Sequence, residues 1–444
     1  MYEKKQMNRR RFLQTSMTGM VGAGMVRGDD FFQKHQDEQE EKLKIKEYRT
    51  LGRTGFKVSD IGCGASFLTN VNVAQVALDM GINYIDTGEH YSRGQSETTI
   101  GMAMKNRDRK SVFITTKLNL NPRFMGEPTK EKLKERFVKC LERLQTDYVD
   151  CLMIHMCTLN EVDHENFHAV AKELKSEDKI RFVGLSNHGP EQRIYGNLEE
   201  PMEKVLLASV EDGRFDVVLF VYNFLQKEQG EKIIETCRKK NMGVTLMKTN
   251  PVNVYNRWKA DLDQRVEAGQ EIPETTIKRG EDYKAWLANA EAFKKKYRLR
   301  SDDDVRDAAI KFVLSNPGVH SACLSFNSFD VLESFVRLSG KKLKRTDTSL
   351  LNDYESTRGH LYCRHACGIC EPSCEHGVPV NTIMRYNHYF EAQGREKQTI
   401  EKYVRLTNSA DGCASCSGPC ESTCPYGVPV RSLLVLAHKN LTMA

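Results

Sequence analysis

The stretch NYIDTGEHYSRGQSE, Asn83 to Glu97, decides how the rest of the chain is read. Tyr84 and Ile85 read as the end of a short buried strand, which delivers Asp86 into a polar loop carrying Tyr91 five residues later. On its own an Asp-Thr pair after a strand is commonly a helix N-cap. Two later strands add weight to it, because VFITTK ends in Lys117 and VDCLMIH ends in His155. Four ionisable groups thus close three β-like runs, each followed by a helix-like segment.

Outward from this stretch, strand and helix patterns alternate. A strand from Val58 to Cys63 carries Gly62 and, just beyond it, Gly64, which fit close backbone approach or an ordinary strand-end turn equally well. Helices are expected at about Val71 to Met80, near Glu97 to Met104 and at Glu131 to Gln145, and further strands end at Asn187, at Asn223, near Thr249 and near Ser325. Eight strand-plus-helix units predict an α/β chain whose residues 47–345 form a (β/α)8 TIM barrel. Every reactive group then falls on the one rim where such barrels carry their chemistry. A run of about 50 residues after Thr249, through Trp258, Trp286 and Lys296, exceeds a βα loop and reads as a lid, a substrate wall or a decorative insertion.

The four groups suit a proton relay. A free phenol titrates near ~10 and is a poor acid at neutral pH unless a cation stabilises its anion. Lys117 supplies that cation, Asp86 keeps it charged and oriented, and His155 faces the group being reduced. Lowering the phenol pKa by ~2 units requires about 2.7 kcal/mol of differential stabilisation, within reach of one close, partly desolvated cation.

These residues resemble the aldo-keto reductases. The DT-x3-Y step, the ITTK and LMIH strand ends and the GLSN strand end at Gly184 to Asn187 match that family's landmarks in order over roughly residues 48 to 340. The resemblance implies a catalytic tetrad of Asp86, Tyr91, Lys117 and His155, and an NADP or NAD cofactor whose nicotinamide amide is held at Ser186 and Asn187. Tyr222 and Asn223 match a further cofactor landmark. Departures accompany the match. Leu219 stands where a glutamine commonly helps hold that amide, and Met247 where an aromatic often stacks on the nicotinamide. The run CLSFNSFDVLESF, Cys323 to Phe335, lacks both the glycine that admits a phosphate and the arginine that would pair with a 2'-phosphate. NADP preference is therefore not expected from that segment, although Asn327 and Ser328 offer hydrogen bonds near a helix start.

Eight of the 14 cysteines lie in the last fifth of the chain. Cys363, Cys367, Cys370 and Cys374 form one block, and Cys413, Cys416, Cys420 and Cys424 form another. CEPSCEHGVPV at Cys370 recurs as CESTCPYGVPV at Cys420, an offset of 50. Tetrahedral zinc and disulfides are alternatives. The runs most resemble the bacterial ferredoxin pattern, in which three close cysteines hold one [4Fe-4S] cluster and a fourth, before proline, holds the other. By that rule Cys363, Cys367 and Cys370 join Cys424, and Cys413, Cys416 and Cys420 join Cys374. Residues 355–444 are then a mainly α-helical, ferredoxin-like domain with two [4Fe-4S] clusters. The other six cysteines read as buried thiols.

A net charge of +6 dispersed over 444 residues does not indicate nucleic-acid binding, and no apolar run is long enough to span a bilayer. Residues 1–28, with Arg9, Arg10, Arg11, Phe12 and Leu13 before an apolar segment, look like a twin-arginine export signal, and 29–46 read as a charged linker. The export machinery is then a partner and the destination the periplasm or cell envelope. The expected function is an oxidoreductase interconverting a small carbonyl and an alcohol, a sugar among the candidates, in contact with an electron-transfer partner. The alternative is a barrel without turnover whose tail does the work.

Overall fold

The computed structural model describes residues 43–188, 201–251, 295–298, 303–393 and 396–442. The signal segment, the linker as far as residue 42 and nearly all of the stretch after Thr249 lie outside the described residues. A hairpin of β1 (Tyr48–Thr50) and β2 (Lys57–Ser59) precedes eight parallel strands: β3 (Ile61–Gly64), β4 (Tyr84–Asp86), β5 (Phe113–Leu118), β6 (Val149–Ile154), β7 (Ile180–Asn187), β8 (Val217–Val221), β9 (Gly243–Met247) and β10 (Ser321–Leu324). They close in the order β10-β3-β4-β5-β6-β7-β8-β9. The expected barrel is therefore present. Helices α1 (Val71–Asp79), α2 (Gln95–Met104), α3 (Lys130–Leu144), α4 (Glu165–Ser176), α5 (Met202–Asp212), α6 (Lys227–Lys239), α7 (Asp303–Ser315) and α8 (Phe329–Val336) follow the strands. The expected single strand over Val58 to Cys63 is instead two pieces. Asp60 breaks it, accepting from Ile61 N at 2.9 Å, Ser339 Oγ at 2.7 Å and Gly340 N at 2.8 Å, so that Val58 joins the hairpin.

Strand alternation sets what faces the axis. Tyr84, Phe113, Cys151, Met153, Val217 and Leu219 pack together inside the barrel, while Ile85, Ile114, Leu152, Ile154 and Phe220 pack outward on the helices. Counting in steps of two from Tyr84, Phe113 and Cys151 places Asp86, Lys117 and His155 inward at the C-terminal ends. The pleat alone thus brings three distant residues to one mouth.

The tail begins behind α9 (Arg345–Arg358), whose Leu350 and Leu351 pack with Val305 and Ala308 of α7. Its helices are α10 (Val380–Gln393), α11 (Glu396–Val404) and α12 (Val430–Thr442), around a core that includes Ile383, Tyr386, Tyr403, Leu434 and Leu441. Among the described residues the tail is helical with short turns, as expected of a mainly α-helical domain. It sits on the loop after β8: Arg364 Nε donates to Leu225 O at 3.2 Å, Gln226 Nε2 to His365 O at 2.6 Å and Asn223 Nδ2 to Tyr362 Oη at 3.2 Å. No helix among the described residues is long and apolar enough to cross a membrane.

The opposite end of the barrel is tied by Asp150. Its Oδ2 accepts from Ile114 N at 2.9 Å and Arg109 at 2.8 Å, and its Oδ1 from Arg181 at 3.0 Å. Asp150→Ala strands these donors, so the urea midpoint followed by far-UV circular dichroism should fall by the equivalent of about 2 to 4 kcal/mol. An unchanged midpoint would show that this clamp does not hold the barrel.

Candidate active site

At the C-terminal mouth Lys117 is fully buried. Its Nζ donates to Asp86 Oδ1 at 2.6 Å, to Thr87 O at 2.6 Å and to Tyr91 Oη at 3.3 Å. The Tyr91 and His155 rings meet edge to face, their centroids 5.5 Å apart at 79°. All four expected catalytic residues therefore converge. The turn bearing Tyr91 is held in an uncommon shape, with Ser92 at φ 49° and Arg93 at φ 58°, and Met156, next to His155, has φ 55°. Left-handed backbone at residues other than glycine costs about 1 to 3 kcal/mol each and collects at functional sites.

Burial alone would discharge the Lys117 ammonium, but Asp86 and Tyr91 outweigh it and hold its pKa above the ordinary value. Burial pushes the Tyr91 phenol above its usual value, and Lys117 offsets only part of that rise. This corrects the expectation of a lowered phenol pKa: the desolvation of a closed mouth exceeds the help of one cation. Tyr91 consequently stands protonated, ready as an acid. His155 is held well below its usual range by burial, with Lys117 adding to the effect, so its imidazole is neutral. Its Nδ1 has no hydrogen-bond partner among the described residues.

The cofactor residues divide. Ser186 and Asn187 reach the mouth, where Ser186 Oγ accepts from Met156 N at 3.1 Å and Asn187 Nδ2 donates to Cys157 O at 2.8 Å, tying them to the loop after His155. Tyr222 does not face the mouth. It falls on the outward phase of β8, its ring 5.5 Å from that of Phe312 and its hydroxyl near Glu231 and Asn316. Its side chain is therefore withdrawn from the cofactor set. At the end of β10, Ser325, Asn327 and Ser328 are exposed before α8, but the run from Cys323 to Phe335 brings no basic side chain to a phosphate.

Sequence reasoning missed the clamp between the Tyr91 turn and the end of β5. Glu89 accepts from Asn119 N at 2.9 Å and from Arg136 Nε at 2.9 Å, while Arg136 donates to Asn119 O at 2.7 Å. Glu89 lies inside the quoted stretch, yet no spacing rule pairs it with an arginine on α3.

In the tail, Cys363, Cys367, Cys370 and Cys424 line one pocket with Val380, Asn381 and Tyr426. Cys413 is pushed up to about 11 by burial and by its neighbours Cys374, Cys420 and Cys416. Each neighbourhood thus joins three cysteines of one repeat to one of the other. Asn381 Nδ2 lies 3.7 Å from Cys363 Sγ, and the amides of Val378 and Gly418 donate to Cys374 and Cys416 at 3.4 Å. All 14 cysteines are unpaired. Among the described residues no group of three or more His, Cys, Asp or Glu is arranged to hold a metal ion.

The family profile described as Aldo/keto reductase family matches residues 65–354. The chain belongs to this family. The uncharacterized oxidoreductase YqkF of Bacillus subtilis is 33% identical over 152 residues, 32% of this chain but only 49% of that relative. The aldo-keto reductase YhdN of the same organism is 26% identical over 333 residues, 69% of this chain and 92% of the relative. Among solved structures, the aldo-keto reductase AKR11C1 of Bacillus halodurans in its holo form aligns with TM-score 0.49 at 21% identity, covering 69% of this chain and 95% of that one.

The protonation states of the mouth carry a pH signature. Because the Tyr91 pKa is raised and that of His155 lowered, kcat/KM for carbonyl reduction should stay flat from about pH 6.5 to about pH 10 and fall only on the alkaline side as the phenol ionises. A limb near neutral pH in the rate profile would contradict this assignment.

Proposed function

We propose that the barrel reduces a small carbonyl compound to its alcohol, or runs the reverse, with Tyr91 as the acid/base, and that the tail carries two [4Fe-4S] clusters. The observation that carries the first part is the buried Lys117 ammonium, 2.6 Å from Asp86 and 3.3 Å from the Tyr91 hydroxyl. In reduction Tyr91 donates its proton to the carbonyl oxygen, and Lys117 stabilises the phenolate left behind. Each unit by which that cation lowers the phenol pKa is worth about 1.4 kcal/mol. Neutral His155, edge-on to Tyr91, orients the same oxygen. A bound nicotinamide supplies the hydride. Ser186 and Asn187 are the residues that would hold its amide, having a hydroxyl and a side-chain amide able to pair with it. The bare end of β10 favours neither NADP nor NAD.

For the tail, the support is the grouping of thiols. Cys363, Cys367 and Cys370 share a pocket with Cys424 from the other repeat, the crossing expected of two-cluster ferredoxins. Amide and Asn381 donors to the sulfurs suit thiolates holding a cluster. Cys413, Cys416, Cys420 and Cys374 would hold the second. An electron-transfer partner would draw on the tail. The twin-arginine pair fits this reading, because that route carries folded proteins and a cluster must be built before export to the periplasm or cell envelope.

Two measurements test the proposal. Tyr91→Phe should lower reductase turnover by roughly 10² to 10⁴, while anaerobically purified protein, wild type or variant, carries about eight iron atoms per chain. Turnover that survives Tyr91→Phe favours the tail as the working part, and an absence of iron and sulfide removes the clusters. Replacing both Arg9 and Arg10 by Lys should leave the protein in the cytoplasmic fraction on cell fractionation; unimpaired export would refute the signal.

A further inference from the structure

The turn that carries Tyr91 does not hold its own shape. Ser92, Arg93 and Gly94 stand in succession at φ 49°, 58° and 86°, all in the left-handed region. Such backbone is costly for residues other than glycine and persists only where its surroundings over-determine it. The surroundings that do so belong to α3, the helix between β5 and β6. Arg136 and Arg143 lie seven residues apart on α3, about two helical turns, and so share one face.

Each arginine grips one end of the Tyr91 segment. Ahead of the tyrosine, Glu89 accepts from Arg136 Nε at 2.9 Å and from the amide of Asn119 at 2.9 Å. Beyond it, Glu97 accepts from Arg143 Nε at 2.7 Å and from the Thr116 hydroxyl at 2.5 Å. Each carboxylate therefore joins α3 to the end of β5. The tie points frame the reacting pair: on the loop Glu89 and Glu97 flank Tyr91, and on the strand side Thr116 and Asn119 flank Lys117. Arg136 adds a bond of its own to Asn119 O at 2.7 Å, and Glu89 N donates to Lys117 O at 3.3 Å. The phenol and the ammonium, 3.3 Å apart, thus sit on two segments fastened together on both sides of their contact.

Two observations set this frame apart from ordinary packing. Arg136 Nη1 is buried with no hydrogen-bond partner among the described residues. A donor left idle in a packed place is a cost that stability alone does not call for. The stem of Arg143 lies against the turn itself: a Cβ at Gly94 would stand 2.9 Å from its Cδ, so residue 94 has to be small as well as left-handed. Both carboxylates are buried, Glu97 completely, which makes each dependent on its arginine to stay ionised.

We propose that Arg136 and Arg143 are positioning residues for the proton transfer: acting through Glu89 and Glu97, they fasten the Tyr91 turn to β5 and set the distance from the phenol to Lys117. The proton transfer rests on the reductase reading above; the fastening of the turn does not. Because both arginines stand on one helix, a single rigid element fixes both ends of the turn at once. A misplacement of about 1 Å at such a contact costs up to roughly 10² in rate.

The test assays full-length Arg136→Gln and Arg143→Gln with NADPH or NADH and three carbonyl probes: 4-nitrobenzaldehyde, butanal and glyceraldehyde. In each variant kcat should fall roughly 10- to 100-fold while KM for the nucleotide stays within about twofold of wild type. Near-UV circular dichroism checks the fold, and Glu89→Gln, which keeps the side chain's shape but not its charge, replaces an arginine variant that does not fold. The deciding step repeats each substitution in the Tyr91→Phe background, followed as single turnovers. A residue that acts by placing the phenol has nothing left to place there, so its effect should vanish; a general structural role lowers the residual rate by the same factor in both backgrounds. Equal losses in the two backgrounds, or an unchanged kcat in both arginine variants, overturn the proposal. Amide hydrogen exchange over residues 88–97 should accelerate in Arg136→Gln. If wild type reduces no probe while that exchange still accelerates, the reductase reading fails and the fastening of the turn stands; exchange as slow as in wild type overturns the fastening.

Discussion

Everything at the mouth of this barrel depends on keeping an ammonium ion inside a protein. Lys117 is fully buried, and a lone charge there would be discharged or expelled. The Asp86 carboxylate and the Thr87 carbonyl, each 2.6 Å away, make its charged form the stable one. Breaking such a pair typically costs about 3 to 5 kcal/mol, because the survivor is left uncompensated. The same contacts aim the ammonium at the Tyr91 hydroxyl. Stability and chemistry therefore draw on one ion pair, and the strained turn at Ser92 and Arg93 is tolerated because the groups around it fix the position of Tyr91.

The tetrad was legible in the sequence because it follows from a strand's pleat. Asp86, Lys117 and His155 each lie an even number of residues beyond an inward apolar neighbour, so the barrel's alternation sends all three the same way. Tyr222 was misread for the complementary reason. Family resemblance named the position, but β8 turns that residue outward against Phe312. The direction of the Tyr91 shift was also misjudged, since a sequence shows which charges are near and not how dry their surroundings are. Glu89 with Arg136, and Lys248 with His365, join residues with no fixed spacing, and only the folded chain brings them together.

The tail is more than an appendage tied on by a linker. Its first turn hydrogen-bonds the loop after β8 through Arg364, His365 and Tyr362, and its α10 leans on the end of β7 through Arg385. Duplication supplied two copies of one cysteine scaffold, and the copy that meets the barrel carries Arg364, His365 and Arg385 where the other has Ala414, Ser415 and Val435. Divergence between repeats inside one chain is informative because the fold supplies its own control.

The interleaving of the cysteines also constrains how this chain is made. Cys424 shares a pocket with three residues more than fifty positions earlier, so the first thiol group stays incomplete on the ribosome until nearly the whole tail has emerged. Neither repeat supplies a complete group of four thiols by itself. A product ending before Cys413 would leave both groups of thiols open at once, each missing the cysteines that the other repeat or its own second block contributes.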